Sequence, residues 1–172
     1  MIIREELIAE HSKPQAMKIA NYACLSEKNF KELMQCFLDK DNRIAQRAAW
    51  SVSWAARKKP QMIAPFIKIL VAQLNRKDVH PAIIRNSVRV LEAADIPEYL
   101  HADVMNACFQ FIETPATPVA IKAFSLTTLF NLSKFYPEIQ RELKLIIEER
   151  WNTETAAFKS RGKKILAKIS IG

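Results

Sequence analysis

Glycine is almost missing from this chain: its 172 residues hold two, Gly162 and Gly172. Nothing before position 162 can therefore form a glycine-cradled phosphate loop or a glycine-dependent hairpin turn. Cysteine is scarce as well. Cys24, Cys36 and Cys108 are odd in number, stand beside apolar residues, and form no CxxC or Cys/His metal pattern. They read as small buried core residues in a reducing compartment. His11, His80 and His101 are scattered near turns or helix starts, without metal-ligand spacing. There is no GxSxG or HExxH motif. At the start, MIIREELIAEHSKP places Arg4, Glu5 and Glu6 directly after three apolar residues. No apolar run there is long enough for a secretory signal or a membrane span. These readings lead to the expectation of no catalytic, cofactor or metal site, no membrane partner, and a cytoplasmic location.

What is present is apolar and basic. Hydrophobic residues make up 49%, which argues for an ordered chain, and the length suits one domain over residues 1–172. Twenty-six basic residues against 18 acidic ones give a formal charge of +8. Such a charge permits binding to nucleic acid, anionic lipid or an acidic protein, and demands none of them.

Prolines recur with a period. Pro60 to Pro97 is 37 residues, Pro81 to Pro118 is 37, and Pro97 to Pro137 is 40. Pro60 to Pro81 and Pro97 to Pro118 are both 21. Each stands where an apolar helical pattern begins, and proline is tolerated in the first helical turn because its missing N–H has no partner there. Two helix starts per period are the mark of stacked helical hairpins.

The helix pattern follows. A short helix is expected from Ile3 to Glu10. Ser12 caps the next, with Pro14 in its first turn and Gln15 completing a capping box. Ser26 caps a third helix, with Phe30, Leu33, Met34, Phe37 and Leu38 on its apolar face. After the turn Asp39–Asn42 a long helix runs to about Arg57. Pro60 and Pro65 open the next helix, with Ile67, Leu70, Val71 and Leu74, and its partner carries Ile83, Ile84, Ser87, Val88 and Leu91. The cycle restarts at Pro97 with Leu100, Val104, Ala107, Cys108, Phe111 and Ile112. Ala120, Ala123, Phe124, Thr127 and Phe130 then mark a helix after Pro118. Pro137 opens the penultimate helix, and a lysine-rich helix ends near Ile169. The expected fold is all-α: an α-solenoid, a right-handed α-α superhelix of about five antiparallel helix pairs.

The stretch DKDNRIAQRAAWSV, with Asp41, Arg47, Ala48 and Ala49, resembles a HEAT repeat, in the armadillo-like superhelix class. There an outer helix ends near an aspartate, and after a turn an inner helix opens with an apolar–basic pair and small residues. RKDVHPAIIRNSVRVL repeats it, with Asp78, Ile84, Arg85 and Ser87. TPATPVAIKAFSLTTL is a third copy without the aspartate. NTETAAFKSRGKKIL and SKPQAMKIANYA are degenerate copies. The resemblance implies that the inner helices line a concave surface, that Arg47 pairs with an aspartate such as Asp78, and that the charged end helices act as caps.

Arg43, Arg47, Trp50, Trp54 and Arg57 follow i, i+4, i+7, i+11, i+14, one stripe of a helix. Ile44, Ala45, Ala48, Val52, Ala55 and Ala56 on the other face suffice for a core, which leaves both tryptophans over. Arg47, Arg85, Lys122 and Lys159 recur at repeat-equivalent positions, with Lys18 in the first unit and Arg89 one turn beyond Arg85. The expected partner-binding surface is Arg43, Arg47, Trp50, Trp54, Arg85, Arg89 and Lys122. Its expected role is a non-catalytic interaction module that takes a protein segment of acidic character on a concave basic and aromatic face.

The alternative is a DNA-binding protein similar in build to the alkylation-repair DNA glycosylases. That resemblance implies a basic, aromatic cleft for duplex DNA beside a catalytic aspartate. No aspartate here matches it: Asp78 and Asp95 lie in turns, where aspartate caps helices. A third reading is an assembly factor whose partner covers the end helices.

Overall fold

The computed structural model describes residues 1–169. Among them, all regular structure is helical. The chain divides into two compact units, Met1–Asp95 and Ile96–Gly172.

The first unit holds three helical pairs. Helix α1 (Ile3–Ala9) pairs with α2 (Lys13–Ala23), and α3 (Glu27–Phe37) with α4 (Asn42–Lys58). The third pair is a broken first helix, α5 (Pro60–Ile63) and α6 (Ile67–Gln73) joined by a 3₁₀ turn, against α7 (Pro81–Leu91). One row is α2, α4 and α7, each packed on the next; α1, α3 and α6 back it. In the second unit α8 (His101–Glu113) pairs with α9 (Val119–Leu132), and α10 (Ile139–Arg150) with α11 (Ala156–Ile169). There α9 and α11 pack together, with α8 against α9 and α10 against both.

Helix starts are set by side chains. Ser12 Oγ accepts from the Gln15 backbone N–H and Ser26 Oγ from that of Asn29, both at 3.2 Å. Asp41 Oδ1 accepts from Arg43 N at 2.9 Å, and His80 Nδ1 from Ala82 N at 3.1 Å. Each fills one donor that the first helical turn leaves open. The Gln15 side chain does not complete the capping box. It donates to the backbone and carboxylate oxygens of Glu6, at 2.8 and 2.6 Å, and ties α2 to α1. Pro60 and Pro81 occupy first helical turns as expected. Pro65 does not continue the helix that Pro60 opens. With no N–H to give, it sits in the 3₁₀ turn Ala64–Phe66, which places Phe66 stacked on Phe30, with ring centres 5.8 Å apart.

The cores follow most of the expected faces. Ile19, Phe30, Leu33, Phe37, Ile44, Ala48, Leu70 and Leu91 are buried in the first unit, and Val104, Cys108, Ile112, Leu143 and Ile147 in the second. Leu38, at the C-cap of α3, is exposed instead. Helix α9 turns a different face inward: Ile121, Leu126, Leu129 and Leu132 are buried, while Phe124, Thr127 and Phe130 are half-buried. This helix is apolar nearly all round, so its period marks no single face. Gly162 serves packing: a Cβ there would stand 2.9 Å from Ile147 Cγ2 and 3.3 Å from Trp151 Cζ3, so its absence lets α11 approach α10 closely. No described helix is long and apolar enough to cross a membrane.

Candidate functional site

Helix α4 is held between α2 and α7, and its polar stripe lies along that row. At the N-terminal end of the stripe two arginines reach back to α1. Arg47 Nη1 donates to the carbonyls of Leu7 and Ile8, at 2.6 and 3.0 Å, and Arg43 Nη2 to Ile8 at 3.3 Å. These carbonyls belong to the last turn of α1, where cations meet the negative end of the helix dipole. Arg47 therefore does not pair with Asp78. That carboxylate takes Arg76 from its own turn, at 2.5 Å.

Trp50 and Trp54 are half-buried. Trp50 meets His11 edge-on, ring centres 5.4 Å apart. His11 is held below the usual imidazole range by partial burial, and then by the charges of Arg47 and Arg85. The α1–α2 turn thus joins the stripe through His11. Trp54 is ringed by cations: Arg89 at 5.1 Å from the ring centre, Lys13 at 5.3 Å and Arg57 at 5.8 Å. Such contacts stabilise each cation by about 0.5–1 kcal/mol where solvent reaches it.

Two donors here are left without partners. Trp54 Nε1 and Arg89 Nε are buried and make no hydrogen bond. Burial, then repulsion from Arg57, pulls the Arg89 guanidinium below its ordinary value, while Glu92 pushes it back up. Among the described residues, Lys13, Arg43, Arg47, Arg57, Arg85 and Arg89 form no ion pair with a carboxylate. Positive charge therefore collects along α4 and α7 around two indoles. A group that brings negative charge and an acceptor is what this arrangement is suited to hold.

Lys122 is not part of it. It is buried in the second unit, with Nζ 2.6 Å from Glu154 Oε1 and 3.2 Å from the Pro115 carbonyl. Arg150 donates to the same Glu154 oxygen through Nε and Nη2, at 2.9 and 2.7 Å. Its repeat-equivalent position gave no hint of this, because Glu154 lies in the turn before α11, 32 residues on. Lys18 is likewise paired, with Glu6 at 2.8 Å. Of the cations at repeat-equivalent positions, Lys18 and Lys122 are thus taken up by internal partners, while Arg85 forms no ion pair among the described residues. Lys13 and His11 were not foreseen beside the stripe, since neither lies on an inner-helix repeat position. On α11, Arg161 lies over Phe124 at 5.6 Å and Lys168 over Phe130 at 5.4 Å, which shields the rings that α9 turns outward.

Cys24, Cys36 and Cys108 are buried and unpaired by disulfides. Burial pushes the Cys36 thiol up to about 11 and that of Cys108 to about 12. His101 is buried, its Nε2 2.7 Å from the Ile96 carbonyl and Nδ1 3.1 Å from the Tyr136 hydroxyl. Nε2–H therefore donates to the carbonyl, and the tyrosine donates to Nδ1. Among the described residues no group of three or more His, Cys, Asp or Glu side chains is placed to hold a metal ion.

Within each unit the helical pairs pack on one another, and among the described residues all regular structure is helical, the build of an α-solenoid. A family model described as the HEAT repeat domain matches residues 3–169, and the chain belongs to the HEAT-repeat family. No curated protein and no solved structure matches it. HEAT-repeat domains commonly mediate protein interactions, which makes an interaction or scaffold module the general reading of this chain.

Proposed function

We propose that this protein is a non-catalytic interaction module whose α2–α4–α7 face binds an acidic protein segment. The observation that supports this reading most is the group of cations Lys13, Arg43, Arg57, Arg85 and Arg89, which form no ion pair with a carboxylate among the described residues. Arg43 and Arg85 are exposed and steer an anionic partner. Trp50, Trp54 and Arg89, half-buried, supply the desolvated anchors. Arg47, with Arg43 beside it, holds the end of α1.

The rival, nucleic acid, fits less well. Base stacking needs an open ring face. Trp54 has three cations within 6 Å of its ring centre, and Trp50 is met by His11.

The test is titration of the intrinsic tryptophan fluorescence with an acidic peptide and with a short DNA duplex, at low and at physiological salt. The reading predicts a saturable, salt-sensitive shift with the peptide that Arg85→Gln and Arg89→Gln together abolish. A response to duplex alone would move the protein to the nucleic-acid class. Silence with both at low salt would overturn the proposal.

A further inference from the structure

Beyond Trp54 the positive face runs into a cavity of about 370 Å³ between the C-terminal ends of α4 and α7 and the broken helix α5. Its walls are mostly apolar: Ala56, Ile63, Ile67, Val90 and Ala93. Arg57 and Arg89 stand in the same lining, with Asp95 as its carboxylate. These two arginines are also two of the three cations that lie over Trp54, so indole and cavity share a wall. The broken first helix of the third pair forms one wall: Pro60, Gln61 and Ile63 of its single turn, Ala64 of the 3₁₀ turn and Ile67 beyond it.

Two features give the cavity a preferred occupant. Its size lies in the range of small ligand sites and is more than twice the ~150 Å³ of a cavity that holds one benzene ring. A large apolar side chain enters it with space left for the backbone that carries it. Its charge is two arginines against one carboxylate, and one of them, Arg89, has its Nε buried without a hydrogen-bond partner. An apolar side chain with no charge beside it would leave that donor and the Arg57–Arg89 repulsion unrelieved.

We infer that this cavity is the specificity pocket of the binding face: it takes one large apolar side chain of an acidic segment, whose flanking carboxylate pairs with Arg57 and Arg89. The inference rests on the proposed function and goes further, since it states what the partner segment must carry. Charge alone would accept any acidic stretch; the pocket selects a Phe- or Leu-type residue set among Asp and Glu.

The experiment compares two short synthetic peptides of alternating Glu and Asp, one with a central Phe and one with a central Ser. Binding is read by calorimetry at low salt, with intrinsic tryptophan fluorescence as a second signal. The Phe peptide should bind about tenfold or more tighter, the value of burying one such side chain. Ala93→Trp, at an exposed position of the pocket wall, should remove that advantage, so that the Phe peptide binds no tighter than the Ser peptide. Circular dichroism confirms that the variant keeps its helices. Should both peptides bind equally, with an affinity that Arg85→Gln weakens, the acidic-segment reading stands and the pocket inference fails. Preference for Phe that survives in Ala93→Trp also overturns it. If neither peptide binds at low salt, both proposals fall.

Discussion

Replacing Glu154 by Gln removes the charge from a buried cluster while keeping its shape. Lys122 and Glu154 side chains are each 5% exposed, and their 2.6 Å contact is the ammonium's single carboxylate partner. After the change Lys122 keeps only the Pro115 carbonyl, at 3.2 Å, and the amide. Removing one partner of a buried pair costs about 3–5 kcal/mol, because the other charge stays buried. The surviving carbonyl puts the expected cost at the lower end, about 3 kcal/mol. Lys122→Met is a gentler cut. Glu154 then retains both Arg150 hydrogen bonds, and Arg150 is 20% exposed, so the loss should be about 1 kcal/mol. The pair Lys122→Met with Glu154→Leu should recover part of the loss, since no buried charge remains and Arg150, 20% exposed, keeps the Glu113 carbonyl at 3.0 Å. Chemical denaturation followed by Trp151 fluorescence reads this unit once Trp50 and Trp54, which lie in the other, are replaced by Phe. The pH dependence gives a second check. Burial alone would raise the Glu154 carboxyl, but hydrogen bonds from Lys122 and Arg150 outweigh it and hold the group below its ordinary 4.5. A lowered native value means that the stabilisation is complete above about pH 4.5 and is lost as the pH falls through the native value. The wild type should therefore weaken in that acid window, and Glu154→Gln should not show that component. A Glu154→Gln protein within 1 kcal/mol of wild type, or a double variant that simply adds the two losses, would refute the reasoning.

Other changes have equally definite outcomes. Gly162→Ala gains helix propensity of about 1 kcal/mol but drives a methyl against Ile147 and Trp151, an overpacking cost of about 1–3 kcal/mol. Calorimetry should show a lower melting temperature, and Trp151 emission should shift. Arg47→Met should cost about 1–2 kcal/mol through the lost carbonyl bonds at the end of α1, and proteolysis should reach residues 1–10 sooner. Cys108 and Cys36, buried and shifted far above neutral pH, should resist a thiol reagent in the native protein and react at once in denaturant. Rapid native labelling would contradict that burial.

Much of the architecture could be read from residue spacing. Prolines at Pro60, Pro81, Pro97 and Pro118 mark helix entries because a missing N–H is harmless only there, and the serine caps at Ser12 and Ser26 act as hydrogen-bond acceptors where expected. Patterning failed where its signal vanishes. Helix α9 is apolar all round, so no period could say which of Phe124 and Leu126 faces inward. Charge was legible only as content. Arg47 and Lys122 occupy equivalent repeat positions, yet one caps a helix end and the other is buried against a glutamate, because partner choice depends on which turns folding brings near. The stripe from Arg43 to Arg57 was visible from the helical period; the role of Lys13, His11 and the cavity beside Arg89 depends on contacts between helices that no local pattern encodes.

The central claim, that the α2–α4–α7 face receives an acidic segment, is tested most directly by amide hydrogen exchange with and without an acidic peptide. The account predicts new protection in α4 and α7 and in the α1–α2 turn around Lys13, lost again in high salt. Protection confined to residues after 96, or none at saturating peptide, would contradict it.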